Sequence, residues 1–208
     1  MKFKTIHIIR HGETDYNKNG LIQGQGVDTS INEKGRQQSD AFFKAFKNRP
    51  IDKIYLSALR RTKESVAQFL AEGIPYEILS GLNEISWGDQ EGKKFNKETA
   101  VAYYSVLDQW KNGNLDERLL RGESPNEVMQ RQRVAMTHIM ANHAESEILI
   151  CMHGRAMRIL LAWLLGHALN TMDEFDHTNL GRYQLSYRSD KFIIDMRNDV
   201  DHLKDLFI

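Results

Sequence analysis

Cysteine and proline are scarce in this chain of 208 residues, which has one cysteine, Cys151, and three prolines. A single cysteine excludes a disulfide framework within the chain, and its place in an apolar run indicates a small core residue. No apolar run reaches the roughly 18 residues needed to cross a bilayer, and the run from Ile159 to Leu165 is far too short. The N-terminus leads directly into an alternating strand, without the apolar core of a signal peptide. We therefore expect a cytoplasmic protein that does not bind membranes.

An excess of one charge sign is also absent, because lysine plus arginine and aspartate plus glutamate each number 28. This balance argues against a general nucleic-acid binder or a binder of anionic membranes. The length suits a single domain spanning 1–208, with room for an insertion. A chain of this size buries enough surface to fold without disulfides or structural metals.

Short apolar runs alternate with helical patterns along most of the chain. The strand-like runs are Phe3 to Ile9, Ile54 to Leu56, Tyr76 to Leu79 and Glu147 to Cys151. The helical patterns are Ser30 to Phe46, Ser57 to Leu70 with Ser57 as its cap, Ser124 to about His143, and Arg155 to Leu165. A hairpin is predicted around Ser189-Asp190, between Tyr183 to Tyr187 and Phe192 to Met196. The alternation predicts an α/β protein with a mainly parallel sheet covered on both faces.

The segment from about Ile85 to Gly122 interrupts this alternation, because it adds a helix, Phe95 to Trp110, without an obvious strand. We interpret this segment as a small helical lid inserted over the strand ends. The aromatic side chains of its helix are most simply explained as packing within the lid.

Two His-Gly pairs each follow an apolar run. Arg10-His11-Gly12 follows Phe3 to Ile9, and His153-Gly154 follows Ile148 to Met152. Ligands of open α/β sheets bind beyond the carboxyl ends of the strands, so histidines that are far apart in sequence are expected to meet there. An arginine beside the first histidine indicates chemistry on an anionic group.

Cleavage of a phosphate ester without a metal needs a nucleophile that carries a phosphoryl group, cations for its oxygens and a general acid. The sequence offers each of these near a predicted strand end: Arg10 and His11, then Arg61, then Glu84, then His153. Asp89 and Glu91 stay open as alternative acids. A metal triad of His11, Glu84 and His153 is disfavoured, because the flanking arginines would repel a cation.

Six motifs, in order from residue 5 to about 165, resemble those of the histidine phosphatase superfamily, the phosphoglycerate mutase-like phosphatases. They are Arg10-His11-Gly12-Glu13-Thr14, Tyr16-Asn17 with Gln23-Gly24, Ser57-Ala58-Leu59-Arg60-Arg61-Thr62, Leu82-Asn83-Glu84 with Gly88 and Glu91-Gly92, Gly122-Glu123-Ser124 with Arg131, and His153-Gly154. In the third motif the matching arginine is Arg61 rather than Arg60. One such motif is weak evidence, whereas the ordered set is specific.

The resemblance implies a three-layer α/β/α sandwich with the active site at the strand ends, and a two-step reaction. His11, in its neutral form, would attack phosphorus and become phosphohistidine. Glu84 would protonate the leaving oxygen and then deprotonate the attacking water. The other residues implied to contact the phosphoryl group or substrate are Arg10, Arg61, Asn17, Gln23, Gly24, Gly154 and His153, the last in its protonated form. No metal and no cofactor are implied.

Arg155 departs from the family pattern, because many relatives carry a small or neutral residue directly after the second His-Gly pair. We hypothesise that Arg155 meets a second acidic group on the substrate. The alternative is an exposed helix arginine. Arg118 and Arg121, at the end of the proposed lid, are similar but weaker candidates.

The proposed lid is short and contains no proline, unlike the lid of cofactor-dependent phosphoglycerate mutases. This favours a metal-independent phosphomonoesterase acting on a small phosphorylated metabolite. A phosphoglycerate mutase is the first alternative, and a non-catalytic module that binds a phosphorylated ligand is the second. The oligomeric state stays open, because the apolar edge around the hairpin and Leu203 to Ile208 suits either a homodimer contact or packing on the chain's own core.

Overall fold

A mixed sheet forms the centre of the computed structural model, which describes residues 3–206. Its strands are β1 (Lys4–Arg10), β2 (Lys53–Leu56), β3 (Tyr76–Ile78), β4 (Glu147–Met152), β5 (Arg182–Arg188) and β6 (Lys191–Asp199), in the order β3-β2-β4-β1-β5-β6. The first four strands run parallel, whereas β5 is antiparallel to β1 and β6 to β5. The predicted α/β fold with a mainly parallel sheet is therefore confirmed.

Helices lie between successive strands along most of the chain. They are α1 (Asp15–Lys18), α2 (Glu33–Phe46), α3 (Arg60–Ser65), α4 (Ala67–Ala71), α5 (Lys97–Lys111), α6 (Pro125–Ala141) and α7 (Gly154–Leu164). Short 3₁₀ turns lie at Ser80–Leu82, Gly88–Gln90, Leu169–Glu174 and Asp201–Leu206. Within residues 3–206, no helix combines the length and the apolarity that a membrane span requires.

The two faces of the sheet pack against different helices, because side chains alternate along each strand. Ile8 of β1 belongs to the apolar cluster that includes side chains of α6 and α7. The next residue, Ile9, belongs to the opposite cluster, with Phe42 of α2 and Phe69 of α4. Helices thus cover both faces, as the three-layer arrangement requires. Leu203 is buried in the second cluster, whereas Phe207 and Ile208, the end of the predicted apolar edge, lie outside the described residues.

Local sequence signals set the helix starts. Ser124 caps α6 in a reciprocal capping box with Glu127, with Pro125 at the first helical position, as the sequence predicts. The helix predicted from Ser30 begins at Glu33, and Asn32 caps it, because its side chain accepts the Gly35 N–H.

The predicted cap at Ser57 is wrong, since α3 begins only at Arg60. The Ser57 hydroxyl instead accepts the Leu59 N–H at 3.1 Å and lies 2.7 Å from His153 Nε2. The helix predicted to run to Leu70 is also interrupted at Val66. Next to that break the Ser65 carbonyl accepts the Ser39 hydroxyl, while the Ser65 hydroxyl donates back to the Arg61 carbonyl. These side-chain hydrogen bonds compete with the helical pattern at this point.

The C-terminal hairpin forms where the sequence predicts it. Ser189 and Asp190 have φ angles of 50° and 58°. A type I′ turn needs positive φ at both of its central residues, and its twist matches the right-handed twist of the two strands. The hairpin adds two antiparallel strands to the β1 side of the sheet.

The segment between β3 and α6 contains α5, which confirms the predicted helix with its bounds moved to Lys97–Lys111. Trp87 stacks on Trp110 with ring centroids 5.8 Å apart, and Tyr103 packs against Trp87 at 4.8 Å. Trp110 also donates from Nε1 to the Glu117 carbonyl at 2.7 Å. Both tryptophans join the apolar cluster on the α6 and α7 face of the sheet.

Candidate active site

The carboxyl ends of β1 and β4 bring the two histidines of the His-Gly pairs together. His11 directly follows β1, and its backbone N–H donates to the Met152 carbonyl at the end of β4 at 3.0 Å. The imidazole centroids of His11 and His153 lie 5.1 Å apart. Both side chains are almost completely enclosed, with exposures of 2% and 0%.

A hydrogen bond fixes the tautomer of His11. Its Nδ1 lies 2.8 Å from the Gly12 carbonyl, and because a carbonyl only accepts, Nδ1 carries the proton and Nε2 keeps its lone pair. Burial, followed by the charges of Arg61 and Arg10, holds the pKa of His11 well below its usual value. The imidazole is therefore neutral, with Nε2 available as a nucleophile.

Gly12 allows the loop after β1, which carries His11, to pack closely against α2. Its N–H donates to Ser65 Oγ at 2.8 Å. A Cβ at Gly12 would lie 2.8 Å from the Gly35 carbonyl oxygen, so only glycine allows the backbone of this loop to approach α2 so closely.

His153 is neutral as well. Its Nδ1 accepts a hydrogen bond from Arg61 Nε at 3.2 Å, so the proton is on Nε2 and is donated to Ser57 Oγ at 2.7 Å. Burial and the Arg61 charge place the pKa of His153 well below its usual value. The protonated form that the family resemblance implies is thus disfavoured in this arrangement.

Arg61 is completely buried and ties the site to the loop before α2. Its Nη1 donates to the Val27 carbonyl at 2.6 Å and its Nη2 to the Gly24 carbonyl at 3.3 Å. Burial lowers the pKa of Arg61 to about 10, which still leaves it charged at neutral pH. The neighbouring Arg60 is exposed and pairs with Asp28 instead.

Arg10 completes the positive charge around His11. Its Nη1 donates to His177 Nδ1 at 3.3 Å, and burial lowers its pKa to about 10. Burial and the adjacent Arg10 lower the pKa of His177 to about 3, so this imidazole is neutral and accepts. A Cβ at Gly154 would lie only 2.7 Å from the His177 ring, which explains the glycine in the second pair.

Glu84 lies at the start of α7, the helix that follows His153. Its Oε1 accepts the N–H groups of Ile85 and Ala156 at 2.9 and 2.8 Å, and its Oε2 accepts the Arg155 N–H at 3.2 Å. The side chain is only 7% exposed. N–H groups at a helix start have no partner within the helix and bind a side-chain oxygen there, so α7 holds both Glu84 and the second histidine at the same strand ends.

The backbone that carries Glu84 is clamped by Arg131. Its guanidinium donates to the carbonyls of Gly81, Asn83 and Glu84 at 2.9–3.0 Å, and to both carboxylate oxygens of Glu123 at 2.9 and 3.0 Å. Glu123 in turn accepts the Ser86 N–H. The Gly122-Glu123-Ser124 motif and Arg131 thus position the backbone of Glu84.

The phosphate-binding candidates between β1 and α2 form one polar network. Asn17 Oδ1 accepts the Thr14 N–H at 3.2 Å, and Gln23 Oε1 accepts the Thr14 hydroxyl at 3.1 Å. Asn179 donates to the His11 carbonyl at 2.8 Å and to Asn17 at 3.4 Å. Through Asn179, Asn17 is thereby tied to the backbone of His11.

The three arginine candidates for substrate binding differ in burial: Arg155 is buried, whereas Arg118 and Arg121 are exposed. Arg155 is 9% exposed and donates to Asp173 at 2.6 Å, so it is not an exposed helix arginine. Arg121 pairs with Asp89 at the surface, and Arg118 pairs with Glu127.

Glu91, the other alternative acid, accepts the Trp87 N–H at 2.8 Å and packs against Gly24 and Gly26. Among the side chains that the structure describes, no group of three or more His, Cys, Asp or Glu is arranged to hold a metal ion.

Three neighbours of the site were not predicted: His177 beside Arg10, Asn179 beside His11, and Asp173 beside Arg155. Each lies between α7 and β5, in a stretch without a recognisable motif. Ser57 belongs to a matched motif, but its contact with His153 was also missed. Together the residues bring the charges of Arg10 and Arg61 to act on the neutral imidazole of His11, and Glu84 acts on both arginines. A neutral imidazole has the chemistry to attack a phosphoryl group, and guanidinium groups have the chemistry to bind its oxygens.

Known proteins resemble this chain over nearly its whole length. The probable phosphoglycerate mutase GpmB of Erwinia tasmaniensis is 28% identical over 210 residues, covering 96% of this chain and 95% of that protein. The putative phosphoserine phosphatase 2 of Hydrogenobacter thermophilus is 25% identical over 206 residues, covering 98% and 99%. The structure of a mycobacterial glucosyl-3-phosphoglycerate phosphatase in complex with VO3 superimposes with a TM-score of 0.83 at 25% identity, covering 95% of this chain and 100% of that one.

The family model described as histidine phosphatase superfamily, branch 1, matches residues 6–200. This range contains every motif that carries the resemblance in the sequence, and the fold agrees with it. The resemblance is therefore confirmed, and this chain belongs to branch 1 of the histidine phosphatase superfamily.

Proposed function

We propose that this chain is a metal-independent phosphomonoesterase that passes the phosphoryl group of a small metabolite through His11. The observation that carries the proposal is the Nδ1–H hydrogen bond from His11 to the Gly12 carbonyl. It leaves Nε2 unprotonated between Arg10 and Arg61, which supply the fixed positive charge that a phosphate dianion requires.

In the first step, His11 Nε2 attacks phosphorus as the bond from phosphorus to the leaving oxygen breaks. The leaving oxygen takes the bonding electron pair and receives a proton from Glu84, which gives an alcohol and phosphohistidine. In the second step, water attacks phosphorus while giving a proton to Glu84. The P–N bond breaks, orthophosphate leaves, and His11 and Glu84 return to their starting forms.

Arg10, Arg61 and Asn17 act on the non-bridging oxygens in both steps. His153 joins them when the ligand arrives, because a dianion beside its Nδ1 raises its pKa and favours the doubly protonated ring. In that state Nδ1–H donates to a phosphoryl oxygen and no longer accepts from Arg61 Nε, whose N–H turns to the phosphoryl group as well, while Nε2–H keeps its hydrogen bond to Ser57.

A phosphatase and a mutase share the phosphohistidine step and differ in the acceptor of the phosphoryl group. Water accepts it in a phosphatase, and a hydroxyl of a retained substrate accepts it in a mutase. The relatives carry names of both kinds. The short insertion at 85–122, which has no proline, supports the phosphatase, because a site that retains an intermediate must be enclosed.

The first experiment measures orthophosphate release from 4-nitrophenyl phosphate at pH 6–7 with a chelator present. Wild type is compared with His11→Ala and with His143→Ala, a matched change at an exposed histidine. We expect turnover in wild type and His143→Ala, a loss of at least about 10³-fold in His11→Ala, and an acid-labile phosphoryl group trapped on His11.

Turnover that survives His11→Ala, or that disappears with the chelator, would overturn the proposal. If wild type is inactive, phosphoglycerate interconversion with a bisphosphate primer tests the mutase alternative. Binding of orthophosphate without either activity would support the non-catalytic module, although a module that only binds has no use for both His11 and Glu84.

A further inference from the structure

The proposed function fixes the direction in which the leaving group of the substrate points. In-line attack places the leaving oxygen on the side of phosphorus opposite His11, where Glu84 protonates it. Glu84 is held by the Arg155 and Ala156 N–H groups. The part of the substrate beyond the leaving oxygen therefore lies against the first turns of α7.

Those turns carry two arginines that share one carboxylate. Arg155 and Arg158 donate from Nη1 to the same oxygen of Asp173, at 2.6 and 2.5 Å. Asp173 lies in the 3₁₀ turn Leu169–Glu174. The Arg155 guanidinium also lies 5.6 Å from the centroid of the Trp110 ring of α5, so the cluster sits between α7 and the inserted helix.

This arginine cluster, Arg155 and Arg158 with Asp173, has more positive than negative charge. Two guanidinium groups face one carboxylate, and Arg10 lies nearby on the far side of His177. The positive charges of all three arginines lower the pKa of His177. Glu84 acts electrostatically on Arg10 and Arg61, whereas Asp173 is the carboxylate that pairs with Arg155 and Arg158.

Donors in this region also lack acceptors. Among residues 3–206, Arg158 Nε and Arg10 Nε are buried atoms without a hydrogen-bond partner. A buried donor without a partner costs roughly 1–3 kcal/mol, so an acceptor supplied by a ligand would be favoured here. Asp173 already shows that a carboxylate has the geometry to bridge the two guanidinium groups.

We propose that Arg155 and Arg158 bind a carboxylate carried on the leaving-group side of the substrate, and that Asp173 occupies this position until the substrate arrives. The inference rests on the proposed function and narrows it to phosphate monoesters of hydroxy acids. It makes the two arginines specificity determinants and assigns them no part in the bond-breaking steps.

Equilibrium binding tests the inference without turnover, because phosphonates have no cleavable ester. Calorimetry compares 3-phosphonopropionate with propylphosphonate, in which a methyl group replaces the carboxylate. We expect wild type to prefer the carboxylated ligand by about 10-fold or more, the value of one charge-assisted hydrogen bond. Arg155→Met and Arg158→Met should each remove most of this preference, and Arg155→Lys should keep part of it.

Asp173→Asn separates ligand binding from a structural role. If Asp173 competes with the ligand, its removal tightens binding of 3-phosphonopropionate several-fold and leaves propylphosphonate nearly unchanged. If the cluster only holds the 3₁₀ turn to α7, the same substitution weakens both ligands or neither. Arg133→Met, at an exposed arginine of α6 that lies over Trp163, is the control and should leave the preference intact.

Equal binding of the two phosphonates by a wild type that hydrolyses 4-nitrophenyl phosphate overturns this inference and leaves the proposed function standing. Failure of both phosphonates to bind, together with turnover that does not depend on His11, overturns both. A preference that survives Arg155→Met and Arg158→Met also overturns the inference, because the carboxylate must then bind elsewhere.

Discussion

Replacing Arg131 by methionine tests whether the clamp below Glu84 serves catalysis. Its guanidinium donates to three backbone carbonyls of the segment that carries Glu84, those of Gly81, Asn83 and Glu84. It also forms an ion pair with both carboxylate oxygens of Glu123. Both partners of the ion pair are 20% exposed. Methionine keeps most of the apolar stem of the side chain and removes every one of these donors.

The cost in stability follows from what is left behind. Breaking a fully buried ion pair by removing one partner costs roughly 3–5 kcal/mol, because the other charge stays unpaired. Glu123 keeps some solvent contact and its hydrogen bond from Ser86, which lowers that figure, whereas three unpaired carbonyls raise it. We expect Arg131→Met to lower the free energy of unfolding by about 2–4 kcal/mol, measured by urea denaturation.

The catalytic effect should depend on the leaving group. A displaced Glu84 delivers its proton poorly, so kcat for an alkyl phosphate should fall by about 10–100-fold. The activated aryl ester 4-nitrophenyl phosphate needs little protonation and should lose much less. Arg133→Met, on the outer side of the same helix, is the control. Equal losses on the two esters at a temperature where the variant is folded would refute the reasoning, since general loosening affects both alike.

Three further predictions follow from individual contacts. Glu84→Gln should lower kcat for alkyl phosphates by roughly 10²–10⁴-fold, with a clearly smaller loss on 4-nitrophenyl phosphate; equal losses would remove Glu84 from the acid role. Gly154→Ala places a Cβ 2.7 Å from the His177 ring and should cost about 1–3 kcal/mol in urea denaturation, so an unchanged midpoint would contradict the contact. Since the pKa of His177 is about 3 when folded and roughly 6.5 when unfolded, only the unfolded chain gains this proton as pH falls below about 6.5. Stability should therefore decline from there towards pH 3, and the decline between pH 7 and 5 should be smaller in His177→Gln; an equal decline would contradict the shift.

The parts of the fold that the sequence predicts are those with local causes. Ser124, Pro125 and Glu127 specify the start of α6 through contacts within four residues, and the turn residues Ser189 and Asp190 specify the hairpin. The strands are recognisable because a parallel sheet covered on both faces needs continuous apolar runs. The positions of His11 and His153 in the fold are predictable from β1 and β4, because each histidine directly follows one of these strands.

The parts that the sequence does not reveal depend on contacts between distant segments. Ser57 has the position of a helix cap, yet its hydroxyl binds the ring of His153, a residue 96 positions away. His177 binds Arg10 across 167 positions, and Asp173 reaches Arg155 only because the 3₁₀ turn folds back onto α7. No periodicity or turn signal encodes such pairs, because the path of the chain between α7 and β5 determines them.

The charges of Arg10 and Arg61 account for both the binding and the reactivity expected of this site. Arg10 and Arg61 keep their charge at neutral pH, because burial lowers their pKa values only to about 10. The same charges, added to burial, keep His11 and His153 neutral. The positive potential that attracts a phosphate dianion thus comes from groups that do not titrate near neutrality, while the nucleophile retains its lone pair in that potential. Replacing either arginine by a neutral residue should therefore weaken phosphate binding and also raise the pKa of His11, so that activity is lost at a higher pH on the acid side of the profile.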